Sequence, residues 1–197
     1  MDIIEKVDIK RFKEYFLYDF NYLKIYNTET TYNINDIVFD NNLFYISLKN
    51  GNINNSLDNT EFWQEIQENI KNYITDNIIE KAIFQAKNFI ITQIHLFRLP
   101  TENNLFEMLY LYLIAYFVCF DFTAQNGTSK GINGIVASKS VDGVSVSYNT
   151  EMPDIIKNNI FLKDLYNNQY GEKYLFYILP RLKGNTFKVV KGTTTSD

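Results

Sequence analysis

A hydrolase or transferase needs a nucleophile, a base and a group that orients the base, and a metal site needs a cluster of ligands. His95 is the only histidine, and Leu96 and Phe97 follow it. That setting predicts packing near a helix end rather than proton transfer. Cys119 is the only cysteine, so an internal disulfide and a cysteine-based zinc site are excluded. Its apolar neighbours predict a buried, inert thiol. Gly127, Gly131 and Gly134 lack the Lys-Ser/Thr pair and the strand–helix setting of a phosphate loop. The carboxylates are scattered, with no compelling pair. These residues predict no catalytic site, no metal and no cofactor, and they turn attention to surfaces.

Charge narrows the partners. The formal net charge is −4 and no basic block is present. Tight phosphate-driven binding of nucleic acid needs clustered Lys and Arg, so DNA is expected at most as a passing cargo. Hydrophobic residues make up 46% of the 197 and charged residues 21%, which places the chain among globular proteins with room for one domain and a small second one. Asp2, Glu5 and Asp8 do not suit the basic start of a signal peptide.

The most patterned stretch is 131–148, GINGIVASKSVDGVSVSY. Asp142-Gly143 tolerates positive φ at both central turn positions and so predicts a two-residue hairpin turn. Val141 and Val144 then face each other. Alternation by two puts Ile135, Ala137, Val141, Val144, Val146 and Tyr148 on one face and Ser138, Ser140, Ser145 and Ser147 on the other. A lone hairpin is marginal in water, so its apolar face must meet either the rest of this chain or a neighbour.

A long apolar helix, a Gly-rich loop, this serine-lined hairpin at 134–148 and the later Gln169-Tyr-Gly-Glu-Lys-Tyr174 together resemble a family of tailed-bacteriophage head–tail connectors, the adaptor or head-completion proteins beneath the portal. The similarity covers 1–23 and about 70–190. It implies a structural virion protein of the neck, present in the host cytoplasm during assembly. It implies a homo-oligomeric ring, commonly twelve-fold, with the portal protein on one side and the tail or next neck protein on the other. The subunit interface expected on this basis includes Ile135, Ser138, Ser140, Val144, Ser145 and Ser147. The C-terminal segment 184–197 is implied to reach the portal, with Phe187, Val189 and Val190 as docking residues.

The elements that must position these surfaces are mainly helical. Asp8 can cap a helix over 9–20, with Ile9, Phe12, Phe16 and Phe20 as its apolar stripe. Thr75 is a good N-cap, with Ile74 and Ile79 placed as a hydrophobic staple. Ile79, Ala82, Ile83, Ala86, Ile90, Ile94 and Phe97 mark one face of the helix that follows, which Pro100 should end. Residues 105–122 form the strongest apolar run, charged only at Glu107 and Asp121. It nears the length of a membrane span. Its two charges, its tyrosines at 110, 112 and 116, the absence of flanking basic clusters and its amphipathic neighbours predict a central core helix instead. Residues 149–159 read as irregular around Pro153, 160–166 as a short helix or turn, and 169–179 as a helix closed by Pro180. The expected fold is therefore mainly α. It is a helical bundle (1–23 and 68–197) with a long central helix and a β-hairpin, plus a small inserted all-β module at 24–67.

Within that module, 36–39 and 43–47 read as strands joined through Asp40-Asn41-Asn42, followed by a polar loop at 50–59 and a return to apolar packing at Phe62-Trp63. Tyr32, Asp36, Val38, Tyr45 and Trp63 resemble the pattern of small chitin- and cellulose-binding modules. Asn35 stands where those have glycine and, like glycine, tolerates positive φ. The resemblance implies glycan binding by exposed faces of Tyr26, Tyr32, Tyr45 or Trp63, the alternative function being a glycan-binding attachment protein. A module of about 40 residues without disulfides also needs such rings for its own core.

Overall fold

A computed structural model describes residues 6–93, 103–126, 138–141, 144–147, 154–166 and 168–181. About half of the described residues are helical, and a small three-stranded antiparallel sheet accompanies them.

The first helix, α1 (Ile9–Tyr15), starts where expected. The Asp8 carboxylate accepts a hydrogen bond from the Arg11 N–H at 2.7 Å. It stops five residues before the predicted end. The Phe16 carbonyl, which would continue the helix, accepts instead from the Tyr22 hydroxyl and the Asp19 N–H, both at 3.1 Å. Phe20 joins Phe12 and Phe16 from a turn, with ring centroids 5.7 and 5.8 Å away.

The chain then forms β1 (Ile37–Asp40), β2 (Leu43–Ser47) and β3 (Trp63–Ile66), in spatial order β1-β2-β3. Asn41 and Asn42 both have positive φ, 46° and 67°, the primed turn that suits a two-residue hairpin. The third strand goes beyond the return to apolar packing that the sequence predicts at Phe62-Trp63: Trp63 pairs with Ser47 and Ile66 with Phe44. The segment leaves and rejoins the helices at one place. Leu23 N–H donates to the Ile74 carbonyl and Ile74 N–H to the Asn21 carbonyl, at 2.9 and 2.7 Å. Phe44 stacks on Tyr73 beside this junction.

Two long helices follow, α2 (Asp76–Gln93) and α3 (Asn103–Asn126). The Thr75 carbonyl accepts from the Ile79 N–H, as an N-cap residue's does, and Ile74 and Ile79 are buried in one cluster. Ala82, Ala86 and Ile90 continue that buried face, and Ile78 extends it. Ile94, Phe97 and Pro100 lie outside the described residues. By length and composition α3 could cross a bilayer, but 61% of its apolar stretch is buried within this fold. It packs on α2 and on α6 (Gln169–Ile178).

Between them come the paired strands β4 (Ser138–Val141) and β5 (Val144–Ser147), then α4 (Asp154–Lys157) and α5 (Ile160–Leu165). The α4 turn replaces the irregular stretch expected around Pro153: Ile156 is buried, and Asn158 N–H closes the turn on the Asp154 carbonyl. Helix α6 begins at Asn168, whose carboxamide oxygen accepts from the N–H groups of Tyr170 and Gly171 at 3.0 and 2.9 Å. Pro180 sits inside a closing 3₁₀ turn, Leu179–Arg181, rather than ending the helix by itself.

Gly171 marks the tightest approach. A Cβ there would lie 2.0 Å from the Leu165 carbonyl oxygen and 2.9 Å from the Tyr116 ring. Gly171→Ala must push backbone apart and should cost about 2 kcal/mol, lowering Tm by roughly 4–8 °C in a chain of this size. A thermal melt superimposable on the parent's would contradict this packing.

Candidate functional site

The residues expected to bind glycan converge, but inward. Tyr26, Tyr32 and Trp63 form a three-ring cluster with centroid separations of 5.2–6.1 Å. Tyr32 is 5% exposed and Trp63 2%. Their polar ends are taken by the module's own loops. The Trp63 indole N–H and the Tyr26 hydroxyl both donate to the Asn55 carbonyl, at 3.0 and 2.7 Å. The Tyr32 hydroxyl accepts from Asn27 N–H and donates to the Asn27 carbonyl. This corrects the expectation for Tyr32 and Trp63. Two small sheet faces cannot close without large apolar groups, so these rings form the core and offer sugar no open face. Tyr26 is half-buried in the same cluster.

Tyr45 is different. It is half-buried on the sheet, directly opposite Glu65 on β3. Partial burial, then the charges of Glu65, Asp58 and Asp40, raise its hydroxyl above the usual tyrosine range. A groove of about 460 Å³ lies beside it, lined also by Leu48, Leu57, Asp58, Trp63, Gln64 and Glu65.

The backbone of this small sheet is held by asparagines and one aspartate. Asn35 has φ 70°, the conformation expected of the glycine it replaces. Asp36 bridges the turn: one oxygen accepts from Lys24 Nζ at 2.8 Å and the other from the Asn33 N–H at 2.7 Å. Partial burial opposes the charge, but these hydrogen bonds outweigh it and hold the carboxyl below the usual carboxylate range.

The expected assembly residues are placed unevenly. Ser138, Ser140, Val144, Ser145 and Ser147 lie on β4 and β5, in the register that an Asp-Gly turn requires: Val141 opposite Val144, Ser140 opposite Ser145, Ser138 opposite Ser147. The same register sets Lys139 opposite Val146, on the row expected to be apolar. Ile135, Phe187, Val189 and Val190 lie outside the described residues, as does His95. Cys119 is buried, and burial, then the charge of Asp19, push its thiol up to about 12, far from the thiolate a nucleophile needs. Among the described residues no group of three His, Cys, Asp or Glu side chains could hold a metal ion.

Two features had no usable signal in the sequence. Asp121, expected only as a charge inside an apolar run, is 5% exposed and lies 3.1 Å from Lys81 Nζ on α2. The pair is close enough for attraction but off hydrogen-bond alignment, since Asp121 Oδ2 has no hydrogen-bond partner. The turn after α1 exposes Tyr18, and the helices expose Phe84, Phe120 and Phe176, each more than half accessible. Scattered exposed apolar groups are ordinary on protein surfaces; large aromatics at 58–94% exposure on three helices and a turn are candidates for contact with other chains.

No protein-family model, curated protein or solved structure matches this chain.

The Asp36 geometry gives a pH signature. Its folded-state pKa is depressed, so its contribution to stability is present above the unfolded carboxylate pKa and lost as pH falls through the folded one. Asp36→Asn should therefore destabilise by about 1–2 kcal/mol at pH 7, with the gap closing below about pH 4. Urea titrations at pH 7 and pH 3 measure it; a gap independent of pH would show that the charge contributes nothing.

Proposed function

We propose that this chain is a structural virion protein, a head–tail connector that assembles as a ring between the portal and the tail or the next neck protein. Its fold in this reading is a helical bundle around α3, with the β4–β5 hairpin on the subunit interface and the three-stranded module as an added surface at 24–67. DNA passes the ring as cargo, which suits a net charge of −4 with no basic cluster. Assembly takes place in the host cytoplasm and the product resides in the neck of the virion.

The observation that carries this reading is the hairpin. Among the described residues β4 and β5 pair only with each other, as a two-stranded sheet of four residues each. Such a ribbon lacks the apolar area to stand alone in water and is completed by packing. A head-to-tail ring supplies that packing from the adjacent copy, through a heterologous contact that closes by rotation. The exposed rings of Phe84, Phe120 and Phe176 give the helices further area for the same purpose.

Sedimentation and negative-stain microscopy of the purified chain, alone and mixed with its portal, test this. Closed rings that co-sediment with portal are the expected outcome. A monomer at micromolar concentration that ignores the portal would remove the assembly role.

A further inference from the structure

The two edges of the three-stranded sheet are treated differently. Along β1 the outward groups of Phe39 are taken: Phe39 N–H donates to the Lys24 carbonyl and the Phe39 carbonyl accepts from Tyr26 N–H, through a parallel bridge at Ile25. Along β3 they are open. Leu48 N–H bonds the Phe62 carbonyl, so by antiparallel alternation residues 62, 64 and 66 face β2 and residues 63 and 65 face outward. Trp63 N–H is used by the Asn59 carbonyl. Glu65 N–H and C=O have no backbone partner among the described residues. Trp63, Gln64 and Glu65 of this strand line the groove beside Tyr45 and Leu57.

Charge separates the module from the rest of the chain. Residues 24–67 hold six carboxylates and two lysines, a net −4 that equals the charge of the whole protein. Both lysines are already engaged, Lys24 with Asp36 and Lys49 with Glu61. Residues 182–191, LKGNTFKVVK, carry three lysines and no acid, and polar and apolar groups alternate from Thr186 to Val189. A charged residue at the centre of a short edge strand normally discourages pairing. A strand that brings a lysine to that point turns the same charge into selectivity.

We propose that the C-terminal segment of one copy adds a fourth strand to the β3 edge of the next copy, with Lys188 opposite Glu65. Lys188 and Glu65 form the pair that exchanges both backbone hydrogen bonds, and Lys188 lies on the acidic side of the sheet with Tyr45 and Asp58. Alternation sends Phe187 and Val189 to the other side, next to Gln64 and Ile66. The strand links successive subunits in one direction, as a ring requires. Phe187, Val189 and Val190 then serve the ring rather than the portal. This inference rests on the ring reading above.

Charge reversal and cross-linking of the full chain test it. Glu65→Lys alone and Lys188→Glu alone should each weaken self-association at least tenfold, and the two together should restore it, with circular dichroism unchanged in all three. Glu65→Cys and Lys188→Cys chains of different tag length, mixed under mild oxidation, should give a disulfide-linked heterodimer. Directly opposed strand residues lie within disulfide reach, about 5.5 Å between Cα atoms, and the native Cys119 is buried. Rings indifferent to both reversals, or a double reversal that fails to rescue, would overturn the strand addition while leaving the ring reading intact. A wild-type chain that is monomeric in the same runs would overturn both. A doubly substituted chain that closes only within itself would show that each tail completes its own sheet, and would overturn the link between copies.

Discussion

A helix of 24 residues that is apolar on nearly every side has to be covered, and the burial of α3 governs what surrounds it. Leu109, Tyr110, Leu111, Leu113, Ile114, Ala115 and Val118 are all buried, so the helix has no broad wet face over its middle turns. Each such side chain contributes on the order of 1.5–3 kcal/mol when removed from water, as an upper estimate. Polar groups that go in with it must find partners. The Tyr110 hydroxyl donates to the Ile83 carbonyl at 3.2 Å, and Asp121 sits beside Lys81. On the opposite side, Asn168 caps α6 and Gly171 lets α6 come up against α5 and Tyr116 with no side chain between them. Covering α3 thus goes with a glycine and a cap on α6 and a lysine on α2 that answers Asp121.

The three-stranded sheet meets the same demand on a smaller scale. With one cysteine in the chain it has no internal disulfide, and three rings fill its centre. Burying Tyr26, Tyr32 and Trp63 brings two hydroxyls and an indole N–H with them, and loop carbonyls at Asn27 and Asn55 receive those donors. The long polar loop at 50–59 is thus part of the core's hydrogen bonding. Asparagine does much of the local work because it accepts positive φ while keeping a carboxamide to bond with, as at Asn35, Asn41, Asn42 and Asn54.

What could be read in advance follows from how local each cause is. The Asp8 cap, the Asn35 turn, the Val141–Val144 pairing and the α2 face depend on residues within a few positions of one another, and each stands as expected. The early end of α1 depends on a hydroxyl six residues later returning to a carbonyl, which no helical periodicity encodes. β3 has no strand signature of its own because its pattern, buried Trp63 then Gln64 and Glu65, has almost no alternation; its partner β2 lies sixteen or more residues away and supplies the reason to be a strand. The aromatic pattern of the module was legible, but its direction was not. A ring on a strand can face a sugar or a core, and only the closing loop at 55–63 decides that Trp63 points inward.

The division of charge bears on what the module adds. Were it only a cap over the helices, its carboxylates would be expected to answer lysines on the helical side, as Lys13 answers Asp76 and Arg11 answers Glu107 between helices. Instead both module lysines pair internally, and Asp58 and Glu65 line one groove with half-exposed Tyr45. Carboxylates gathered at one groove favour the approach of a cationic partner. It lies beside the one outer strand whose backbone groups at Glu65 are free among the described residues. Acidic side chains and an unpaired backbone meet at the same edge, and a single kind of contact, a lysine-bearing extended segment, answers both.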